Sequence, residues 1–77
     1  MIFSDQFKKD LWRTWQAIGF DAIDMCEDND HALEFCIDAD RIETFGSKES
    51  NEELHRAIQK YGYDKVHKHL SKEFRLL

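Results

Sequence analysis

Apolar residues recur along most of this chain at helical spacing. Phe7, Leu11, Trp15 and Ile18 fall within about 80° of one another when successive residues turn by ~100°, with Lys9, Arg13 and Gln16 opposite and Trp12 on the flank. The pattern predicts a first helix from Asp5 to Ile18, with Ser4 as N-cap and Gly19 as the closing residue. A short second helix is expected from Asp21 to Glu27. A third, from His31 to Thr44 after Asp28 or Asp30 as cap, carries Ala32, Phe35, Ala39 and Ile42 on one line and Leu33 and Ile37 on another. Only Glu34, Asp38 and Arg41 make a polar face there, so this helix is expected at the centre. Ser50-Asn51-Glu52-Glu53 reads as a capping box ahead of Leu54, Ala57, Ile58 and Tyr61, the buried face of a fourth helix. Tyr61-Gly62-Tyr63 then turns the chain, Asp64 is positioned to cap, and Val66, Leu70, Phe74 and Leu77 form the stripe of a fifth.

One segment also fits strands. Ala22-Ile23-Asp24-Met25-Cys26 and Ala32-Leu33-Glu34-Phe35-Cys36 are similar pentapeptides with apolar residues in alternation. A hairpin turning at Asp28-Asn29-Asp30, followed by a third strand to Phe45, would give an α+β fold: a helix, a three-stranded meander and two helices. Composition argues against it. The chain has no proline and a single valine, Val66, while Asp and Glu are poor strand residues. Gly19, Gly46 and Gly62 each close an apolar periodic stretch, where a helix wants a left-handed residue. The expectation is an all-α bundle of four to five short helices in one small domain spanning residues 1–77. Its core is expected to contain Leu11, Trp15, Phe35, Ile42, Leu54, Ile58, Leu70 and Phe74.

With 77 residues the hydrophobic core is thin, because a chain of that size buries only about 60% of its unfolded surface. A homodimer, or docking on a larger partner, is a natural supplement. No run of apolar residues approaches the ~18 needed to cross a membrane, and no signal-peptide pattern opens the sequence. Two cysteines, Cys26 and Cys36, are too few for a secreted disulfide scaffold. They form one Cys-x9-Cys pair, whereas the twin Cys-x9-Cys hairpins of the mitochondrial intermembrane space require two. A cytoplasmic protein without a membrane partner is therefore expected.

Candidate chemistry is sparse. Asp28-x-Asp30 begins like a calcium loop, but Ala32 follows where a ligand belongs and no loop glycine comes after. Cys26, His31, Cys36, His55, His67 and His69 could ligate zinc, yet the cysteines stand ten apart and no close Cys or His pair has ligand spacing. His67 and His69 point about 200° apart on a helix. No glycine-rich phosphate loop and no nucleophile elbow occurs. The helix-turn-helix pattern fails too, since Lys68 and Ser71 stand where a second helix would pack apolar residues. No catalytic residue, cofactor or metal site is expected, and the protein reads as a binding protein rather than an enzyme.

Charge gives the more specific signal. A net charge of −5 conceals nine acids between Asp21 and Glu43, against Arg41 alone, and a basic stretch from Leu54 onward. Nine carboxylates in 23 residues repel one another in a way that a purely structural role does not require. Asp24, Glu27, Asp28, Asp30, Glu34 and Asp38 are therefore the expected contact residues for a basic protein surface, such as the nucleic-acid groove of a DNA- or RNA-handling protein. Small acidic proteins that mimic nucleic acid, commonly encoded by phages and mobile elements, follow the same charge logic; the analogy rests on composition alone. The opposing reading uses Lys65, Lys68, Lys72 and Arg75, which fall on one side of the fifth helix, to contact nucleic acid directly. Self-association, acidic middle on basic end, is the third.

Overall fold

The computed structural model describes the backbone of residues 1–25 and 29–75 and the side chains of residues 1–18 and 33–73. Among the described residues five helices follow one another: α1 (Asp5–Met25), α2 (Asn29–Ile37), α3 (Arg41–Phe45), α4 (Lys48–Tyr61) and α5 (Tyr63–Arg75). No strand occurs among the described residues, so the all-α expectation holds and the three-stranded alternative falls. Phe3, Phe7 and Leu11 from the N-terminal segment and α1, Leu33, Cys36 and Ile37 from α2, Ile42 from α3, Leu54 from α4, and Val66 and Leu70 from α5 form one buried cluster. Trp15, Ile18, Ala57, Ile58 and Tyr61 pack against its edge. Of the expected core, Leu11, Ile42, Leu54 and Leu70 are buried, and Trp15 and Ile58 are half-buried. The Phe74 side chain lies outside the described residues.

α1 begins where its cap predicts, with the Phe7 amide donating to Ser4 Oγ at 3.1 Å. It does not stop at Gly19. The expected first and second helices are one, running on to Met25. A glycine inside a helix costs about 1 kcal/mol, whereas ending one helix and starting another leaves up to four carbonyls and four amides to be satisfied anew. Without a proline to force a break, continuation is the cheaper course.

The expected third helix, by contrast, is broken. α2 ends at Ile37, Ala39 and Asp40 both take the left-handed conformation at φ 55°, and α3 starts at Arg41. The reason lies in the two apolar lines. In an unbroken helix Ile42 would point about 180° from Leu33; the break brings Ile42 into the same core as Leu33, Cys36 and Ile37. Phe35 lies on the far line of α2 and is only half-buried, with the Arg41 guanidinium 5.3 Å from its ring centroid and Arg41 Nη1 donating to its carbonyl at 2.7 Å. Its expected central place is corrected.

The capping box at Ser50 is also corrected. α4 begins three residues earlier, with Ser47 as N-cap accepting from the Ser50 amide at 3.2 Å. Glu53 turns instead to α1, where Oε2 accepts from the Ser4 amide at 2.8 Å and Oε1 from Ser4 Oγ at 2.7 Å. In a capping box the third helical residue returns a carboxylate to the cap's own amide. That residue in α1 is Phe7, which cannot, and Glu53 supplies the carboxylate from a different helix. Gly62 (φ 91°) ends α4 as expected, its amide bonded to Ile58 O at 2.8 Å. α5 starts directly after it, with Asp64 inside the first turn rather than at the cap.

Candidate interaction surface

Asp10 is fully buried and held by several polar contacts. Its Oδ2 accepts from Ser50 Oγ at 2.6 Å and Ser47 Oγ at 2.7 Å, and its Oδ1 from Gln6 Nε2 at 3.1 Å, with Arg13 Nη1 3.9 Å away. Burial by itself raises the Asp10 pKa, but the hydrogen bonds from Ser50, Ser47 and Gln6 and the charge of Arg13 outweigh it, and the carboxyl titrates below its ordinary value. Gly46 makes this junction possible: a Cβ there would stand 2.5 Å from Asp10 Cβ. A carboxylate with a depressed pKa is a weak base, so the hydroxyls of Ser47 and Ser50 are oriented by Asp10 rather than activated. The arrangement fastens α1 to the start of α4 and thereby sets where the acidic turn between α2 and α3 lies.

That turn gathers charge. Asp40 Oδ1 lies 3.1 Å from His55 Nε2 and accepts from Asn51 Nδ2 at 3.3 Å, and Glu43 Oε2 accepts from the same Asn51 nitrogen at 3.1 Å. Asn51 and His55, four residues apart on α4, thus face two carboxylates of the α2–α3–α4 corner. The hydrogen bond from His55, then that from Asn51, draws the Asp40 pKa below its ordinary value. Asp38, Asp40 and Glu43 are all exposed. Two consecutive non-glycine residues in the left-handed region, Ala39 and Asp40, are an unfavourable backbone choice of about 1–2 kcal/mol each. Asp40 and Glu43 were counted in the acidic block but not among its expected contacts, while Asn51 was read as part of a capping box and His55 as a possible zinc ligand. The acids of the pair lay within the acidic block, but nothing short of the chain break tells that they converge on α4.

Of the sequence-predicted acidic contacts, Glu34 and Asp38 can be placed. Glu34 is half-buried with Oε1 3.9 Å from His67 Nε2, and Asp38 accepts a long 3.4 Å hydrogen bond from the Tyr63 hydroxyl. Burial, the charges of Asp38 and Glu34 and the Asp38 hydrogen bond together push the Tyr63 pKa up to about 12. Asp24 belongs to the last turn of α1 and Asp30 to the first of α2, but their side chains lie outside the described residues, as do Glu27 and Asp28 entirely. On the alternative basic face, Lys65, Lys68 and Lys72 are exposed and form no ion pair among the described residues; the Arg75 side chain is outside them. Among the described residues, the polar contacts of α2 and its following turn with α5 run through His67 and Tyr63 rather than through the lysines.

Among the described residues no three His, Cys, Asp or Glu side chains are grouped to hold a metal ion. Burial pushes the Cys36 thiol up to about 12, against a smaller opposing effect of Arg41, so it is neither a thiolate nucleophile nor a ready ligand. Among the described residues no helix is long and apolar enough to cross a membrane. Comparison with family models, with curated proteins and with solved structures finds no match.

Proposed function

We propose that the protein is a non-enzymatic, cytoplasmic binding protein that engages a basic surface of a partner through its acidic middle: α2, the 38–40 turn and α3. The single observation carrying this reading is that, among the described residues, the acids of α2 and its following turn do not pair with the lysines of α5. Glu34 and Asp38 meet His67 and Tyr63 there, while Lys65, Lys68 and Lys72 are exposed and have no carboxylate partner among the described residues. Carboxylates that remain exposed and gathered, at Asp38, Asp40 and Glu43, favour association with a surface of opposite charge and steer the encounter. A nucleic-acid-binding groove is the kind of basic surface that fits, and modulation or inhibition of its owner would follow from occupying it.

The test is partner capture from a lysate with mass spectrometry, with and without nuclease, comparing the native chain with one carrying Asp28→Asn, Asp30→Asn, Glu34→Gln and Asp38→Asn. The native chain should capture a basic protein in both conditions, and less of it as salt rises, because exposed charges are screened beyond ~8–10 Å at physiological ionic strength. The substituted chain should keep its helical circular dichroism and lose the partner. Capture that survives the four substitutions would refute the proposal.

A second reading has its own observation, the three exposed lysines of α5. They lie along about 10 Å of helix, given a rise of ~1.5 Å per residue, and would contact phosphates. Purified protein should then bind DNA or RNA directly at low salt, with a log–log salt slope near −0.9 per neutralised phosphate on duplex DNA. Charge reversal at Lys65, Lys68, Lys72 and Arg75 should abolish that binding, while neutralising the acids should leave it intact or strengthen it.

A further inference from the structure

Away from both of these surfaces, the N-terminal segment and α4 enclose an open groove of about 200 Å³. Ile2, Ala57 and Tyr61 contribute its apolar lining, and Arg56, Lys60 and Glu53 its charged lining. Ile2 is 95% exposed, a large aliphatic side chain left almost wholly in water beside the cavity. Glu53, the one acid here, has both carboxylate oxygens engaged by Ser4. Arg56 makes no ion pair among the described residues, and Lys60 rests over the Tyr61 ring at 5.2 Å, a contact that leaves its charge available. With two cations against one carboxylate, the net side-chain charge at the groove is positive, although the chain as a whole is acidic.

We infer that this groove is a docking site for an acidic protein segment that presents one apolar side chain flanked by carboxylates. The volume is below the roughly 300–1,000 Å³ of sites that enclose a drug-sized ligand, and suits a single leucine- or phenylalanine-sized side chain. Arg56 and Lys60 stand one helical turn apart, about 6 Å along α4, which matches carboxylates on either side of that anchor. A nucleic-acid strand is the poorer fit. It would need a longer line of cations, and it offers the exposed Ile2 flat bases and at most a thymine methyl rather than a leucine-sized side chain. Charge complementarity to Arg56 and Lys60, with apolar complementarity to Ile2, Ala57 and Tyr61, thus defines the occupant. This surface is opposite in sign to the acidic corner, so one molecule would present two docking faces of different preference.

The experiment is an amide nuclear-magnetic-resonance titration of the full chain with the blocked hexapeptide EELFEE, against the controls QQLFQQ and EEGGEE and a twelve-residue oligothymidylate. Saturable shifts should concentrate at Ile2, Ala57 and Tyr61 with EELFEE. Loss of the two exposed ion pairs should weaken QQLFQQ by roughly two- to thirtyfold, and EEGGEE, lacking the anchor, should bind weakly or not at all. Arg56→Glu with Lys60→Glu should remove the EELFEE response while the rest of the spectrum stays in place. As both side chains are exposed, the fold should tolerate the change, and an unaltered melting curve checks this. Should the double reversal unfold the chain, Arg56→Gln with Lys60→Gln serves the same purpose. No shifts at these residues, shifts indifferent to the substitutions, or stronger binding of oligothymidylate at the same place would overturn the inference. None of these variants alters the acids of α2, so this result and that of the partner capture are independent.

Discussion

Replacing Asp10 probes the central junction of the fold. Asp10→Ala removes the acceptor for Ser50 Oγ, whose residue is 2% exposed, and for Ser47 Oγ and Gln6 Nε2, whose residues reach water. A hydrogen bond to a charged acceptor contributes roughly 1.5–3 kcal/mol, and a buried hydroxyl left unpaired costs ~1–3. Counting the Ser50 bond in full, the Ser47 bond at about 1 kcal/mol, and Gln6 and Arg13 as negligible gives a loss near 3 kcal/mol. Against ~5–10 kcal/mol of total stability for so small a domain, that is a large fraction. At about 4–8 °C per kcal/mol, the melting temperature should fall by roughly 12–24 °C. Asp10→Asn, which keeps the volume and one acceptor, should cost about 1–2 kcal/mol. A double-mutant cycle between Asp10→Asn and Ser50→Ala should show coupling of at least ~0.5 kcal/mol. The pH dependence has a definite sign. The folded-state pKa of Asp10 is depressed below 3.8, so its stabilisation is complete above that value and is lost as pH falls below about 4. Thermal and urea unfolding followed by circular dichroism, repeated across the acid range, measure these changes. If Asp10→Ala melts within a few degrees of the native chain, or if Asp10→Asn leaves the acid limb of the stability curve unchanged, the junction does not hold the fold together as argued.

Other substitutions test the corrections. Glu53→Ala should cost about 1–2 kcal/mol, the worth of a good N-cap, and should raise amide exchange in the first turn of α1 more than in α4, its own helix. Gly46→Ala should be the more damaging of the two glycine changes at the ends of α3 and α4, because its Cβ would sit 2.5 Å from Asp10 Cβ in a buried site. Gly62→Ala meets no atom within 4 Å and should lose only the ~1–3 kcal/mol of a backbone conformation, φ 91° and ψ 151°, that is nearly confined to glycine; thermal melts rank the pair. Phe35→Ala should cost much less than the ~3–5 kcal/mol of a core phenylalanine, while Leu54→Ala, at a 1% exposed position, should lose about 2–5. Equal losses at these two positions would restore Phe35 to the core.

The all-helical class, the apolar faces of α1, α4 and α5, the cap at Ser4 and the stop at Gly62 were all legible in the linear pattern. Each depends on neighbours within a turn or two, and a 3.6-residue period records them directly. The charge division, and with it the proposed choice of partner, was equally plain, because composition alone carries it. What the pattern could not reveal is where two helices compete for one residue. Ser50 and Glu53 satisfy a local capping rule, yet each is taken by a residue more than 35 positions away, Asp10 and Ser4. Gly19 satisfies a local stopping rule, yet the helix continues past it. Ile42 and Leu33 lie on opposite lines of an imagined single helix, and only burial in a shared core decides that the backbone must break between them. That break at Ala39 and Asp40 brings Asp40 and Glu43 onto Asn51 and His55, so the acidic corner is a product of tertiary packing. Local periodicity determines which residues are helical and which face is apolar; the long-range satisfaction of buried polar groups and the demand for one continuous core determine where helices begin, break and meet.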